Sequence, residues 1–126
     1  PREQLRLSLS IPDVHLISLQ PAMEGLIVPS KFYGILAAGR PTIFIGSKDG
    51  EIPRILHEAE CGFSVEKGKA EELSHVIRQL ADYPSICVIL GERARALFER
   101  RFDKIHAMSA WQTVLYPTGD SVAARP

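Results

Sequence analysis

Val-His-Leu-Ile-Ser at residues 14–18 and Thr-Ile-Phe-Ile at residues 42–45 decide the fold. Both runs are short, rich in β-branched or bulky apolar side chains, and bounded by Pro, Gly or Asp, which is the pattern of a strand. Gly-Phe-Ser-Val at residues 62–65 is a third strand candidate. Because the first two runs are almost continuously apolar rather than alternating, they indicate a parallel sheet that is covered on both faces.

Helical patterns separate and follow these strands. Residues 1–10 fit a strand or a helix, and we favour the helix. Apolar side chains recur at helical spacing in five further segments, which are residues 30–38, 52–59, 73–80, 86–98 and 105–115. Helices that alternate with strands predict βαβ crossovers and therefore an α/β fold, a Rossmann-like parallel sheet with flanking helices.

Capping signals delimit several of these helices. Ser30 and Asp103 are predicted N-caps, and Gly39 and Gly62 are predicted just past the ends of two helices. Pro41 prevents the first of these helices from continuing. The boundaries therefore follow from residue types that stop or start a helix for known reasons.

The length bounds the domain organisation. A chain of 126 residues suffices for one domain, yet three strands are few for an open α/β fold, which usually has five or six. We therefore expect residues 1–116 to be part of a larger Rossmann-like domain, and residues 117–126 to be a flexible tail.

Composition excludes several functional classes. Fifteen basic residues balance fifteen acidic ones, whereas a protein that binds nucleic acid through its phosphates would be more basic. The four histidines have no metal-ligand spacing, and we expect neither a metal nor a cofactor. Cys61 and Cys87 form no CxxC pair, and no apolar run reaches the length of a membrane span. These features predict a cytoplasmic protein.

Two loops leave the carboxyl ends of the first two predicted strands, where open α/β folds bind ligands. The first loop, residues 19–29, contains Glu24-Gly25 and leads into the helix that begins near Ser30. A helix N-terminus attracts phosphate, and a carboxylate accepts hydrogen bonds from sugar hydroxyls. The combination predicts a nucleotide sugar as the ligand.

These motifs carry a family resemblance. Residues 13–19, Glu24-Gly25 and the segment Pro-Ser-Lys-Phe-Tyr-Gly-Ile-Leu-Ala-Ala-Gly-Arg-Pro at residues 29–41 resemble the C-terminal, donor-binding lobe of retaining GT-B glycosyltransferases. The group is often described as group 1 or family 4. The resemblance covers residues 5–115 and is most specific over residues 24–41. It implies that residues 1–116 are a partial donor-nucleotide-sugar-binding domain.

The resemblance also implies roles for individual residues. Glu24 matches the acidic residue that contacts the transferred sugar, and Gly25 follows it in the motif. Ser30 and Lys31 match the helix start whose amides approach the diphosphate. Gly34 is assigned to the donor site as well, although the family usually has a second Glu there that holds the ribose hydroxyls.

The implied activity belongs to a longer protein. It is the transfer of a sugar from a nucleotide diphosphate sugar to an acceptor, in polysaccharide or glycolipid synthesis. The resemblance implies an acceptor-binding lobe and a basic Arg and Lys pair that this sequence lacks, so the 126-residue chain alone is expected to be inactive. Peripheral association with the inner face of the membrane is a further expectation.

Other interpretations remain open from the residues alone. The chain could be a nucleotide-sugar epimerase of GT-B fold, or a non-enzymatic doubly wound interaction module. Asp49 and Glu51 could reach a ligand, but helix capping and dipole complementation explain them as well. Trp111 fits a core position or an anchor between lobes, and His15 fits a packed position in its strand.

Overall fold

The computed structural model of the protein describes residues 2–116. The predicted tail, residues 117–126, lies outside the described residues. In chain order the elements are α1 (Arg2–Ser10), β1 (His15–Ser18), a 3₁₀ turn (Pro21–Met23), α2 (Lys31–Ala37), β2 (Thr42–Gly46), α3 (Glu51–Ala59), β3 (Gly62–Glu66), α4 (Ala70–Asp82), α5 (Pro84–Leu97), a π-helical turn (Phe98–Phe102) and α6 (Lys104–Leu115).

The three strands form one parallel sheet in the order β1-β2-β3. His15 of β1 is in register with Thr42 of β2, which in turn is in register with Gly62 of β3. Helices lie between and after the strands, so the predicted α/β, Rossmann-like parallel sheet is confirmed. Within residues 2–116, no further strand pairs with the outer edge of β1.

One face of the sheet, here called the covered face, lies under α2, α3 and α5. Ile17 of β1 and Phe44 of β2 point to this side and pack in one cluster with the apolar residues of the three helices. The helical members of the cluster are Phe32, Ile35, Leu36, Ile52, Ile55, Leu56, Ala94 and Leu97. Cys61, just before β3, is buried in the same cluster.

The opposite face, here called the open face, is covered only in part. Val76 and Leu80 of α4 and Leu90 of α5 pack on Ile43 of β2 and Val65 of β3. Neither helix reaches fully over β1, so that Leu16 remains 51% exposed. A groove of about 900 Å³ results, here called the apolar groove, whose lining includes Val14, Leu16, Ile43, Ile77, Cys87 and Val88.

At two of the predicted helix boundaries the position is right but the capping differs. Ser30 is the N-cap residue of α2, as predicted, but its backbone is helical, with φ −58° and ψ −26°, and its side chain makes no capping hydrogen bond. Gly62 lies just past the end of α3, as predicted, but the left-handed conformation at that end belongs to Glu60, and Gly62 opens β3. Gly62 is needed for another reason, since a Cβ on it would overlap the carbonyl oxygen of Thr42.

The other two boundary predictions are closer to the structure. Gly39 follows α2 with φ 65° and donates its N–H to Leu36 O over 3.0 Å, as a residue just past a helix end does. Asp103 is the N-cap residue of α6, with an extended backbone, but its side chain makes no capping hydrogen bond.

α1 is held to the sheet at the amino-terminal end of β1. His15 is buried, as the strand pattern predicted, and its Nε2 lies 2.9 Å from Leu9 O. Arg40, after α2, donates to Ser10 O and approaches Asp13. These contacts fix the end of α1 against the turn that precedes β1.

α5 meets the turn after α2 without an intervening side chain. A Cβ built on Gly91 would overlap the carbonyl oxygen of Gly39 and would lie 3.2 Å from its carbonyl carbon. The backbones of α5 and of this turn are therefore in direct contact.

α6 leaves the rest of the fold after the π-helical turn. Trp111 is 64% exposed, which excludes the core position that the sequence allowed for it. Apolar residues around it are exposed as well, and they are Ile105, Met108, Val114 and Leu115. None of the helices in residues 2–116 combines the length and the apolar character that crossing a bilayer requires.

Candidate functional site

The loops that follow β1 and β2 enclose a pocket of about 380 Å³ at the carboxyl ends of the two strands, here called the acidic pocket. The sequence predicted that both loops leave carboxyl ends of strands, where open α/β folds bind ligands. The first loop contributes Leu19, Glu24, Gly25, Leu26, Ile27 and Val28, and the second loop with the start of α3 contributes Ser47, Asp49, Gly50, Glu51 and Ile52.

The first loop folds so that Glu24 is turned into the pocket. The 3₁₀ turn places the N–H of Glu24 at 3.2 Å from Pro21 O. Gly25 follows with φ 75°, a left-handed conformation that favours glycine, and Leu26 then donates its N–H back to Met23 O over 3.1 Å. The Glu-Gly pair is thus the point where the chain reverses over the pocket.

One oxygen of Glu24 is the most informative atom of the site. Oε1 is buried and has no hydrogen-bond partner among the described residues. Leaving a buried acceptor unpaired costs about 1–3 kcal/mol, and more when the group is charged. Such an atom at the wall of a pocket fits a group that receives its hydrogen bond from a ligand.

Glu24 lies against the N-terminus of α3. A Cβ built on Gly50, the N-cap residue of that helix, would lie 2.9 Å from Cδ and 3.1 Å from Oε1 of Glu24, and it would overlap Oε2. The carboxyl group therefore packs directly on the bare Cα of Gly50. The carboxyl group thus lies beside the positive end of the α3 dipole.

The pocket is acidic. Of the described residues that line it, three are carboxylates and none is Lys or Arg. Lys48, beside the pocket, is turned to Glu66, with 3.6 Å between Nζ and Oε2. A diphosphate would be repelled from such a lining, whereas hydroxyl donors suit it. In residues 2–116, no set of three His, Cys, Asp or Glu side chains is placed to hold a metal ion.

The residues that the sequence assigned to the donor site are not all brought together. Glu24 and Gly25 line the acidic pocket. Ser30 and Lys31 are exposed at the start of α2 and are not part of that lining. Gly34 faces α1, where a Cβ on it would lie 2.9 Å from Leu9 Cδ1. Its contact in the structure is thus with α1, and a role in donor binding stays a prediction.

Ser47 and Gly50 belong to the pocket although neither was singled out from the sequence as a ligand-binding residue. The available signal was their position, directly after the second strand and between Asp49 and Glu51. Capping does not explain Asp49, because Gly50 is the N-cap residue and α3 has no side-chain cap bond. Glu51 lies in the first turn of α3, as dipole complementation predicts.

Tyr33 of α2 is the neighbouring aromatic residue. Burial, and after it the nearby carboxylate of Glu51, raise the pKa of Tyr33 above its usual value. The ring also meets Phe102 edge-on, with 5.0 Å between the ring centroids. Tyr33 thus keeps its proton at neutral pH and connects α2 to the π-helical turn.

Comparisons with known proteins give one distant relative to report. No model of a protein family and no solved structure matches the chain. It is 26% identical over 117 residues to a protein of Pseudomonas aeruginosa described as the probable glycosyltransferase WbjE. The match covers 93% of this chain but 29% of that protein, so the chain spans less than a third of its relative's length. The similarity supports a glycosyltransferase-like function at the level of the family.

Proposed function

We propose that the chain is the C-terminal, donor-binding part of a GT-B glycosyltransferase that uses a nucleotide diphosphate sugar. The observation that carries the proposal is the buried, unpartnered Oε1 of Glu24 in a pocket at the carboxyl ends of parallel strands. The distant similarity to a probable glycosyltransferase supports the same class of reaction. The acceptor belongs to polysaccharide or glycolipid synthesis.

In this proposal the sugar and the diphosphate of the donor bind at two different places. The sugar occupies the acidic pocket, where the carboxylate of Glu24 accepts hydrogen bonds from its hydroxyl groups. The diphosphate lies outside the pocket, because the described lining offers it no cation. The exposed start of α2, with Ser30 and Lys31, supplies backbone N–H groups and a positive charge for it.

In our proposal, glycosyl transfer needs a second lobe in addition to this chain. Glycosyl transfer needs donor and acceptor held together in a reactive geometry, and such orientation lowers the barrier by several kcal/mol. In our proposal the chain binds and orients the donor, while a second lobe brings the acceptor. Binding rather than turnover is therefore the property to measure with the 126-residue chain.

Calorimetric titration with UDP-glucose, GDP-mannose and dTDP-glucose tests the role of Glu24. We expect Glu24→Gln to weaken the binding of the preferred donor about tenfold or more, since a charged hydrogen-bond acceptor is lost. Glu71→Gln, which changes an exposed carboxylate of α4 far from the loops in sequence, is the matched control and should bind as the wild type does. Equal binding by all three proteins, or no binding by any, would contradict the proposal.

A second pair of variants tests the place of the diphosphate. Lys31→Glu should greatly weaken the binding of UDP and GDP, because the charge that attracts the diphosphate is reversed. Its Tm should stay unchanged or rise slightly, since an acidic residue suits the first turn of a helix. Lys69→Glu reverses a charge at the N-cap position of α4 and is the control. If the two variants bind alike, the diphosphate site is elsewhere.

A further inference from the structure

We infer that Gly50 is a positioning residue for Glu24: the absence of a Cβ at residue 50 holds the carboxylate in the acidic pocket. The inference rests on the proposed function, in which Glu24 receives hydrogen bonds from the donor sugar. It assigns the hydroxyl-binding group to two loops acting together, one that carries the carboxylate and one that makes room for it.

The backbone does not require glycine at residue 50. Its φ of −74° and ψ of 169° lie in the extended region, which every L-residue adopts readily. The N-cap position does not require it either, because Ser, Asp and Asn are favoured over glycine there. Neither the backbone conformation nor the N-cap position therefore demands a glycine at residue 50.

Steric contact with Glu24 does explain it. The three atoms nearest to a Cβ built at residue 50 are Oε2, Cδ and Oε1 of Glu24. Cδ and Oε1 would lie at 2.9 and 3.1 Å, closer than carbon and oxygen atoms normally approach a Cβ. A Cβ at residue 50 and the present position of the Glu24 carboxylate therefore exclude each other, whereas the backbone of residue 50 would accept a side chain.

Any side chain at residue 50 consequently displaces the Glu24 carboxyl group. Glu24 is in an exposed loop, so its side chain can turn to solvent without disturbing the core. The displaced carboxylate would no longer present Oε1 to a ligand in the pocket. A shorter carboxylate at residue 24 would stop one methylene earlier and leave space for the added Cβ.

Two variants at residue 50 test this with and without a ligand. Gly50→Ala and Gly50→Ser add the same Cβ, and Ser also improves the N-cap, so that at least one keeps the fold. With the nucleotide sugar that the wild type binds best, we expect each to lose about tenfold or more in affinity, as for a lost hydrogen bond to a charged group. The Tm of Gly50→Ser should stay at or above that of the wild type.

Carbon-13 NMR of the glutamate carboxyl groups provides the readout that needs no ligand. The Glu24 Cδ resonance is identified by its disappearance in Glu24→Gln. We expect both variants at residue 50 to move this resonance toward the position of an exposed glutamate. An unmoved resonance would overturn the inference even if no nucleotide sugar binds, so its failure is distinguishable from failure of the proposed function.

A double-mutant cycle separates positioning from a merely structural role. In the Glu24→Asp background, adding Gly50→Ala should leave the affinity unchanged or raise it, because the shorter carboxylate no longer meets the Cβ. A structural defect would reduce affinity equally in both backgrounds. Equal losses in the two backgrounds would therefore overturn the inference.

Discussion

Leu16 and Ile17 are neighbours in β1, yet the two faces of the sheet treat them differently. Ile17 is 6% exposed beneath the helices of the covered face, whereas Leu16 is 51% exposed at the apolar groove. Both side chains are large and apolar, so the difference lies in what packs on them. Helices cover the whole sheet on one face, but on the other face they leave β1 partly uncovered.

The open face and the acidic pocket lack different kinds of partner. Parallel sheets occur with both faces covered, so a groove beside an edge strand fits a further strand and helix. The acidic pocket lacks something else, because its unpaired atom is a carboxylate oxygen that needs a hydrogen-bond donor. The groove therefore supports the proposal that the chain is part of a larger domain, and the pocket supports the proposed ligand.

The largest expected effect concerns the two neighbours in β1. Ile17→Ala should lower the free energy of unfolding by about 2–5 kcal/mol, since it opens a cavity in a packed cluster. Leu16→Ala should lower it by less than about 1 kcal/mol, because half of that side chain is already in water. Urea denaturation of both variants measures the difference. Similar losses would mean that the open face is covered in solution.

In the acidic pocket, we expect an apolar substitution to raise the free energy of unfolding rather than lower it. Glu24→Leu removes a buried carboxylate oxygen without a partner, so the free energy of unfolding should rise by about 1 kcal/mol. Binding of the nucleotide sugar should be lost in the same variant, which is the usual conflict between stability and function at a site. Glu71→Leu, at an exposed position, should change stability by less than about 0.5 kcal/mol. A destabilised Glu24→Leu protein would mean that the carboxylate has a structural partner.

The smallest expected effect concerns the two cysteines, of which Cys61 lies on the covered face and Cys87 lines the apolar groove. Burial raises the pKa of the Cys61 thiol to about 11, and burial also raises the pKa of Cys87, which lines the apolar groove. Above pH 9 the unfolded chain ionises Cys61 while the folded chain does not, so this contribution to stability is present below pH 9 and is lost between pH 9 and pH 11.

Denaturation at pH 8 and pH 10.5 measures that loss. The wild type should lose more stability over this interval than Cys61→Ala, because only the wild type has the Cys61 thiol. At pH 8 a disulfide reagent should label the half-buried Cys87 faster than the fully buried Cys61. Equal pH dependence of the two proteins, or faster labelling of Cys61, would contradict the assignment of Cys61 to the covered face.

Most of the fold could be predicted from local sequence patterns. The features that could not be predicted depend on contacts between distant segments. The apolar runs at residues 14–18 and 42–45 and the glycine at residue 39 predicted elements that the structure contains, because strand runs and helix ends depend on adjacent residues. Ser30 was correctly predicted as the N-cap residue of α2, but the helical backbone of Ser30 and the lack of a side-chain cap bond were not evident from the residue type. The exposure of Trp111 depends on what packs against α6, which no periodicity reveals.

The candidate site divides in the same way. Glu24 and Gly25 were predicted because a carboxylate and a glycine follow a strand in one loop. The part that Gly50 plays could not be predicted, since it depends on a contact with a residue 26 positions earlier in the sequence. A glycine in a loop has several common explanations, and only the position of the Glu24 carboxyl group distinguishes among them.

The contact between Gly91 and Gly39 has a mechanical consequence. Side chains between helices can change rotamer and absorb a small displacement, but two backbones in contact cannot. We therefore expect α5 and α2 to move together as one rigid body. α5 forms a wall of the apolar groove, and α2 begins just after the loop that carries Glu24. A displacement of α5 at the groove would then also displace the end of the loop that carries Glu24.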